Sequence, residues 1–381
     1  MKKILVIHTK YQELGGEDVA VENEMDLLKD NFKIKELFFS NNIDNYFFDT
    51  FSLISNNNKK SINKLLKTID EFKPDYAYVH NTWFKASIGI FRALENSGVK
   101  TILKLHNFRY SCTRSFLARN HFKDLSICNA CGSKRSSMGI INRYYENSFL
   151  KSLFVANYGR KYFDIIKKKN IKIFVLTKFH KDYLKKLNIN NNVNVFPNFI
   201  RTITDKNIQK KEEYIVYAGR ISNEKGVEEL ITTFLRLNYQ DLKLKIIGDG
   251  PLLEILKNKY HSQNILFLGY LENKEVLKII ENSKAVITAT KLYEGQPTLL
   301  CEASSVGVPS FFPDSGGIKE FFPSNYKLSY KQFDYDDLQK KLEILKNNQM
   351  LEEIGEDNKN FIKDYLSKEK LIETFKRAIN D

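Results

Sequence analysis

Two glutamates stand at the start of a predicted helix, after a strand that ends near Thr288. The carboxylates of Glu294 and Glu302 could accept hydrogen bonds from paired hydroxyls, as the acidic residue of a dinucleotide site does for a ribose. Pro297 suits the first turn of a helix, whose free N–H groups attract phosphate or sugar oxygens. Gly295 would let the backbone approach a ligand closely. The segment therefore predicts either a ligand site or a helix cap beside a solvated glutamate.

Two cations follow the strand that opens the second half of the chain. Arg220 and Lys225 lie in one loop, between Gly219 and Gly226. At a strand end they can converge on a diphosphate, because a guanidinium chelates oxygens and an ammonium acts as a point charge. Such a pair would also stabilise a departing phosphate. A solvated surface pair is the alternative, and the flanking glycines favour the ligand site.

Weaker candidates follow strands in the first half of the chain. Gly15 and Gly16 form a turn that could expose backbone N–H groups to a phosphate, although a glycine pair is usually just a turn. His106 ends a later strand. It could donate to a substrate hydroxyl or take part in proton transfer, although a lone histidine is more often structural.

The cysteines allow two interpretations. Cys128 and Cys131 have the thiolate spacing of zinc ligands, with Cys112 and His121 as candidate further ligands. Reduced, partly buried cysteines are the alternative, so no metal site is assigned. Four cysteines in 381 residues are too few for a disulfide scaffold, which favours a reducing cytoplasm.

Strands alternate with helices along most of the chain, which implies parallel sheets covered by helices. The series restarts near residue 214, after a polar, lysine-rich stretch over 202–213. Two doubly wound α/β domains are therefore predicted, over 1–198 and 199–365. Ligands of such domains bind at the carboxyl ends of the strands, so we expect the site in a cleft between the two domains.

Composition narrows the classes of protein further. Hydrophobic residues make up 42% and charged residues 28% of the chain, which excludes fibrous and wholly disordered classes. The net charge of +14 invites anionic partners, but the lysines are scattered and form no nucleic-acid-binding block. No apolar run is long enough to span a membrane. The phosphate-loop, dinucleotide and nucleophile-elbow motifs are absent from the sequence, which argues against ATPases, nicotinamide dehydrogenases and α/β-hydrolases.

Taken together, these motifs resemble the retaining glycosyltransferases of family four, which have two Rossmann-like domains facing across a cleft, the GT-B architecture. Segments 247–251 and 316–320 are also similar to that family's second domain. The resemblance implies an enzyme, a hexosyltransferase that uses a UDP or GDP sugar and retains the anomeric configuration. It implies that no cofactor or metal ion is required.

The resemblance also implies residue roles. Arg220 and Lys225 would hold the diphosphate, and Glu302 the ribose hydroxyls. Glu294 and His106 would contact the donor sugar, and with the two cations they form the predicted catalytic set. The donor-binding set that the resemblance implies is Gly15, Gly16, Arg220, Lys225, Gly248, Tyr270, Leu271, Glu294, Gly295, Gln296, Pro297, Thr298, Leu299 and Glu302.

The acceptor side is predicted by the same resemblance. Residues 108–147, with Arg109, lie where an acceptor would dock, and they resemble capsule and O-antigen transferases. Acceptors there are glycans or lipid-linked, which would give the lysine-rich first domain a reason to lie against the inner face of an anionic membrane. A C-terminal helix over about 366–381 should pack back on the first domain. A nucleotide-sugar epimerase of the same architecture is the rival enzyme, and a non-catalytic binding module is the third alternative.

Overall fold

The chain forms two compact units, Met1–Phe199 with Leu371–Asp381, and Ile200–Lys370. The structure is a computed structural model that describes residues 1–10, 16–42, 51–52, 54–108, 110, 143, 145, 148–189, 192–201, 211–237 and 239–380. Each unit is described below by itself.

The first unit contains a six-stranded parallel sheet in the order β2-β1-β3-β4-β5-β6. Its strands are β1 (Lys3–Lys10), β2 (Lys33–Ser40), β3 (Tyr76–Val79), β4 (Lys100–Leu105), β5 (Ile171–Val175) and β6 (Val193–Val195). Before residue 200, the described helices of this unit include α1 (Gly16–Leu28), α2 (Lys59–Phe72), α3 (Gly89–Asn96), α4 (Phe149–Ile166) and α5 (Lys178–Lys186). The strand order changes direction between β1 and β3, so ligands are expected at the carboxyl ends of these strands.

Local sequence explains where these elements begin and end. Residues 4–7 of β1 are all buried, as expected for a central parallel strand with both faces covered. Helix α2 begins after Asn58, whose side chain accepts a hydrogen bond from the backbone N–H of Ser61 at 3.1 Å. It ends at Phe72, because Lys73 is left-handed and Pro74 cannot continue the helix.

The second unit contains another six-stranded parallel sheet, in the order β12-β11-β10-β7-β8-β9. Its strands are β7 (Tyr214–Ala218), β8 (Lys243–Ile247), β9 (Ile265–Gly269), β10 (Ala285–Ile287), β11 (Ser310–Asp314) and β12 (Ser329–Lys331). Its helices are α6 (Val227–Leu235), α7 (Leu253–Lys259), α8 (Asn273–Glu281), α9 (Thr298–Ser305), α10 (Tyr335–Leu342) and α11 (Asn348–Tyr365). The strand order changes direction between β7 and β10.

The last helix, α12 (Lys368–Asn380), contributes to the core of the first unit. The ring of Phe375 lies 5.5 Å from that of Tyr78 and 5.4 Å from that of Phe196, centroid to centroid. The hydroxyl of Tyr76 donates to the carbonyl of Ile379 at 2.8 Å. The chain therefore returns to the first unit after it has completed the second.

These two parallel-sheet units confirm the predicted fold class of two doubly wound, Rossmann-like α/β domains. Helices connect most successive strands in both sheets, and a short 3₁₀ helix, Ile318–Phe321, lies between β11 and β12. In both units, the side chains that could do chemistry must be sought where the strands end.

Candidate active site

In the second unit, a cation and a carboxylate meet at the carboxyl ends of β7 and β10. Lys225 Nζ lies 2.6 Å from Glu294 Oε1, and the hydroxyl of Thr290 donates to the same oxygen at 2.9 Å. The side chains of Lys225 and Glu294 are 30% and 28% exposed. They are thus oriented by each other and still open to a ligand. The structure therefore joins two of the predicted catalytic residues, which are 69 positions apart in the chain.

The loop after β7 is held against the segment after β10. Gly226 has a φ of +68°, and a Cβ atom there would lie 2.1 Å from the carbonyl oxygen of Ala289. Only glycine fits such a left-handed, close contact. The backbone N–H of Lys291 donates to the carbonyl of Glu224 at 2.9 Å. These contacts position Lys225 beside its carboxylate partner.

The backbone of Glu294 is held from the other side by a glycine pair. The N–H of Gly317 donates to the carbonyl of Glu294 at 2.9 Å. Gly316 has a φ of +61°, and a Cβ atom there would lie 2.2 Å from that carbonyl oxygen. The segment 316–320, which the sequence analysis singled out only by resemblance, therefore positions the Glu294 side chain.

Helix α9 carries the second glutamate of the predicted site. It begins at Thr298, and Pro297 is its N-cap residue, so the prediction that Pro297 occupies the first turn was one position too early. Glu302 lies one turn into the helix and is partly exposed. Burial raises the pKa of Glu302 to about 7, and a hydrogen bond from the Asn273 side chain opposes this shift. Cys301 is buried within the packing of the helix.

The raised pKa of Glu302 predicts a stability effect that depends on pH. Its folded-state pKa of about 7 exceeds the unfolded value, so the carboxyl favours folding at low pH and loses that contribution as pH rises from about 4.5 to 7. We expect Glu302→Gln to raise the free energy of unfolding of the second unit by about 2 kcal/mol at pH 8, and by almost nothing at pH 4.5. Urea denaturation at the two pH values measures this difference. Glu254→Gln, at an exposed position, is the control, and an equal effect of both variants would contradict the argument.

The remaining donor-set residues of the second unit lie on the same edge of its sheet. Arg220 is exposed, and its carbonyl accepts a hydrogen bond from the Tyr217 hydroxyl at 2.8 Å. Gly248 follows β8, and Tyr270 follows β9 with 71% of its side chain exposed. Gln296 is buried, whereas four other members of the set are partly exposed: Leu271, Gly295, Thr298 and Leu299.

In the first unit, His106 directly follows β4 and faces another histidine. Its Nε2 lies 2.9 Å from Nδ1 of His80, which directly follows the neighbouring strand β3. Burial lowers the pKa of both rings well below the usual range, and the nearby Lys104 and His8 lower it further. Both imidazoles are therefore neutral at physiological pH.

A small pocket opens beside these two histidines. It is lined by Glu17, His80, Asn81, Thr82, Trp83, Lys104, Leu105, His106, Asn107, Tyr158 and Tyr162. The hydroxyls of Thr82 and Tyr158 lie 2.8 Å apart, and the rings of Trp83 and Tyr158 meet edge to face. Polar groups and aromatic rings therefore line this pocket together.

Several predicted residues lie outside the described part of the chain: Gly15, Arg109, Cys112, His121, Cys128 and Cys131. Gly16 is described, as the exposed first residue of α1. Within the described ranges, no helix is both long and apolar enough to cross a membrane.

Sequence reasoning missed three side chains that contact predicted site residues: His80, Thr290 and Asn273. A signal for His80 was present. The dipeptides His80-Asn81 and His106-Asn107 each follow a buried apolar strand directly, so both histidines had to reach the same sheet edge if those strands paired. Thr290 and Asn273 carried no comparable signal, because single polar residues after strands or at helix starts are common.

Comparison with known families adds an independent finding. Residues 198–365, which include Lys225, Glu294 and Glu302, match the family model of glycosyl transferases group 1. The match covers the second unit and less than half of the chain.

Curated proteins are also similar to parts of this chain. An uncharacterized glycosyltransferase of Methanocaldococcus jannaschii is 27% identical over 273 residues, which is 66% of this chain and 58% of that protein. The amylovoran biosynthesis glycosyltransferase AmsD of Erwinia amylovora is 31% identical over 157 residues, 36% of this chain and 42% of its own. The chain thus matches about half the length of these curated relatives.

A solved structure is similar over the entire chain. HepE of Anabaena, in complex with UDP and glucose, superposes with a TM-score of 0.69 at 12% identity and covers 100% of both chains. At this identity the similarity shows the fold alone. The family model and the curated relatives confirm a resemblance to glycosyltransferases, and the assignment to family four stays a prediction.

Proposed function

We propose that the chain is a retaining glycosyltransferase that moves a hexose-type sugar from a UDP or GDP sugar to a glycan or lipid-linked acceptor in surface polysaccharide synthesis. The observation that carries the proposal is the pairing of Lys225 with Glu294 at the switch point of the second sheet. Doubly wound sheets bind their ligands at this point. The ammonium of Lys225 can bind the diphosphate of a nucleotide sugar. The neighbouring carboxylate of Glu294 can bind the hydroxyls of its sugar.

The proposed roles follow from the charges at this edge. Lys225 and Arg220 bind the diphosphate and stabilise the negative charge that develops as it departs. Binding draws the ammonium of Lys225 toward the phosphate and frees the carboxylate of Glu294 for a sugar hydroxyl. Glu302 accepts hydrogen bonds from the ribose, and these bonds are strongest when its carboxyl group is ionised. His106, in the first unit, contacts the donor sugar as a neutral imidazole.

The comparisons support this proposal in three ways. The family match places the same residues within a glycosyltransferase domain, and HepE is a protein of the same fold that was solved with UDP and glucose. The name of AmsD refers to amylovoran biosynthesis, which supports a role in polysaccharide synthesis. A location in the cytoplasm, and contact of the first unit with an anionic membrane, stay predictions from the sequence.

Calorimetric titration of the purified chain with UDP, GDP and ADP tests the donor site. We expect one nucleotide to bind with micromolar affinity. Lys225→Ala and Glu302→Ala should each weaken that affinity about tenfold or more, since each loses a direct ligand contact worth about 1.4 kcal/mol. Glu294→Ala should retain nucleotide affinity and lose turnover, because its partner is the sugar.

Lys259→Ala is a matched control for this titration. Lys259 also forms a 2.6 Å ion pair, with Glu228, but it lies on the exposed helix α7, where no ligand group is proposed. It should leave the affinity unchanged. Unchanged affinity in both Lys225→Ala and Glu302→Ala would remove the assignment of the site.

A further inference from the structure

We propose that His80 is a positioning residue, which holds the ring of His106 in one orientation and fixes which of its nitrogens carries the proton. This inference rests on the proposed function, because His106 is there assigned to the donor sugar. His80 itself contacts no proposed ligand group. It acts through the ring that does.

The geometry places the two rings in direct contact. Strands β3 and β4 are neighbours, and the two histidines are the first residues after them. His80 Nδ1 and His106 Nε2 lie 2.9 Å apart, and the ring planes are inclined by only 26°. This is a normal length for a hydrogen bond between two nitrogens.

His80 is the fixed member of the pair. Its side chain is 2% exposed, and its ring lies 4.3 Å from the ring of Tyr78, centroid to centroid. Its backbone N–H donates to the carbonyl of Ile7 at 2.9 Å. His106 is partly exposed beside the pocket. The buried ring of His80 therefore orients the ring of His106 at the pocket.

The hydrogen bond between the two histidines determines which nitrogen of His106 carries the proton. Two neutral imidazoles share one hydrogen bond only if one nitrogen donates and the other accepts. If His80 Nδ1 donates, the proton of His106 must be on Nδ1; if His106 Nε2 donates, Nδ1 of His106 is a bare acceptor. Within the described residues, His106 Nδ1 and His80 Nε2 are buried and have no hydrogen-bond partner. The tautomer of His80 thus sets whether the proton of His106 is on Nε2, toward His80, or on the buried Nδ1.

The charged groups around the pair keep it neutral. The ammonium of Lys104 disfavours a second positive charge on either ring, and so does His8. The carboxylate of Asp18 lies 2.8 Å from Nε2 of His8, and that of Glu24 contacts Lys104, so both are already paired. A neutral pair is the state in which the hydrogen bond between the histidines fixes a tautomer.

Steady-state kinetics of two variants test the proposal on the full chain. His80→Leu removes the hydrogen bond, and we expect kcat to fall about tenfold while KM for the donor changes by less than about twofold. His80→Asn retains an amide near the position of Nδ1, which can donate or accept, and should restore kcat to within about threefold of the wild type. An equal loss in both variants would indicate a purely structural role and would overturn the proposal.

His180→Leu is the matched control. His180 is a second fully buried histidine of the first unit, whose ring packs on Phe108 at 4.3 Å. Within the described residues neither ring nitrogen of His180 has a hydrogen-bond partner, so its loss removes the same imidazole volume without breaking a hydrogen bond to His106, and kcat should stay within about twofold of the wild type. If kcat also fell tenfold in His180→Leu, the effect of His80→Leu would come from disturbed packing of the unit, which would contradict the proposal.

A spectroscopic measurement separates this proposal from the proposed function. The full chain, labelled with ¹⁵N at its six histidines, reports the protonation of each ring nitrogen by NMR. We expect the His106 signals to shift in His80→Leu and to stay near wild type in His80→Asn and His180→Leu. Unshifted signals in His80→Leu would overturn the proposal whatever the activity. Shifted signals in a chain with no transferase activity would support the positioning of His106 and reject the proposed function.

Discussion

Gly316→Ala is expected to lower turnover about a hundredfold and to reduce the free energy of unfolding of the second unit by about 3 kcal/mol. A Cβ atom at this position would lie 2.2 Å from the carbonyl oxygen and 2.7 Å from the nitrogen of Glu294. Both are backbone atoms, so no side chain can rotate away, and the segment that carries Glu294 has to move. Displacement of a reacting group by about 1 Å is enough to cause a rate loss of this size.

Gly98→Ala separates the contact from the backbone conformation. Gly98 has a φ of +67°, close to the +61° of Gly316, but a Cβ atom there would meet no atom within 4 Å. Gly98→Ala should therefore lower the free energy of unfolding by only about 1 kcal/mol, because alanine disfavours the left-handed conformation, and it should leave turnover unchanged. Steady-state kinetics and urea denaturation of both variants provide the comparison. Similar losses in the two would show that conformation alone matters and would contradict the positioning of Glu294 by Gly316.

Continuous apolar runs made most of the fold predictable. Strands such as β1, β3 and β7 are buried on both faces, so their sequences are almost uninterrupted in Ile, Val, Leu, Ala and Tyr. The apolar pattern does not reveal strand β2, because it lies at the edge of its sheet, where Lys33, Lys35 and Glu36 interrupt the pattern. It does not reveal strands β11 and β12 either. The first contains Pro313, and the second has only three residues.

The identity of the site residues was easier to predict from the sequence than the contacts between them. The sequence indicated Lys225 and Glu294 as separate candidates, each at a strand end. Their contact depends on β10 pairing with β7, although two other strands come between them in the chain. Strand order is a property of the whole sheet, and short-range periodicity does not determine it. For the same reason, the contact of His80 with His106 could not be predicted, because it depends on β3 and β4 being neighbours in the sheet.

Lys104→Met is expected to destabilise the first unit by about 3–5 kcal/mol at pH 8. The ammonium of Lys104 contacts Glu24 Oε1, and the hydroxyl of Tyr78 donates to Glu24 Oε2 at 2.8 Å. Both charged side chains are fully buried, so removal of the cation leaves a carboxylate in an apolar interior with one hydrogen bond. Methionine has nearly the volume of lysine, so little of the loss would come from a cavity.

The dependence on pH identifies the isolated carboxylate as the cause. Burial already raises the pKa of Glu24, and Lys104 opposes this shift. Without Lys104 the folded-state pKa rises further above the unfolded value. The protonated carboxyl then favours the folded state at low pH, and this contribution is lost as pH rises. The loss caused by Lys104→Met should therefore be smaller at pH 5 than at pH 8, which urea denaturation at both pH values measures.

A double variant completes the argument, because it removes the anion together with the cation. In Lys104→Met with Glu24→Gln neither charge of this pair remains, and the amide oxygen of glutamine can still accept the hydrogen bond from Tyr78. The free energy of unfolding at pH 8 should recover to within about 1–2 kcal/mol of the wild type and lose the added dependence on pH. If the double variant is as unstable as Lys104→Met, packing by the lysine stem, and not its charge, stabilises the unit. In that case, the ion pair between β4 and α1 adds little to the stability of the unit. Its main chemical consequence is then that the ammonium of Lys104 keeps His80 and His106 neutral.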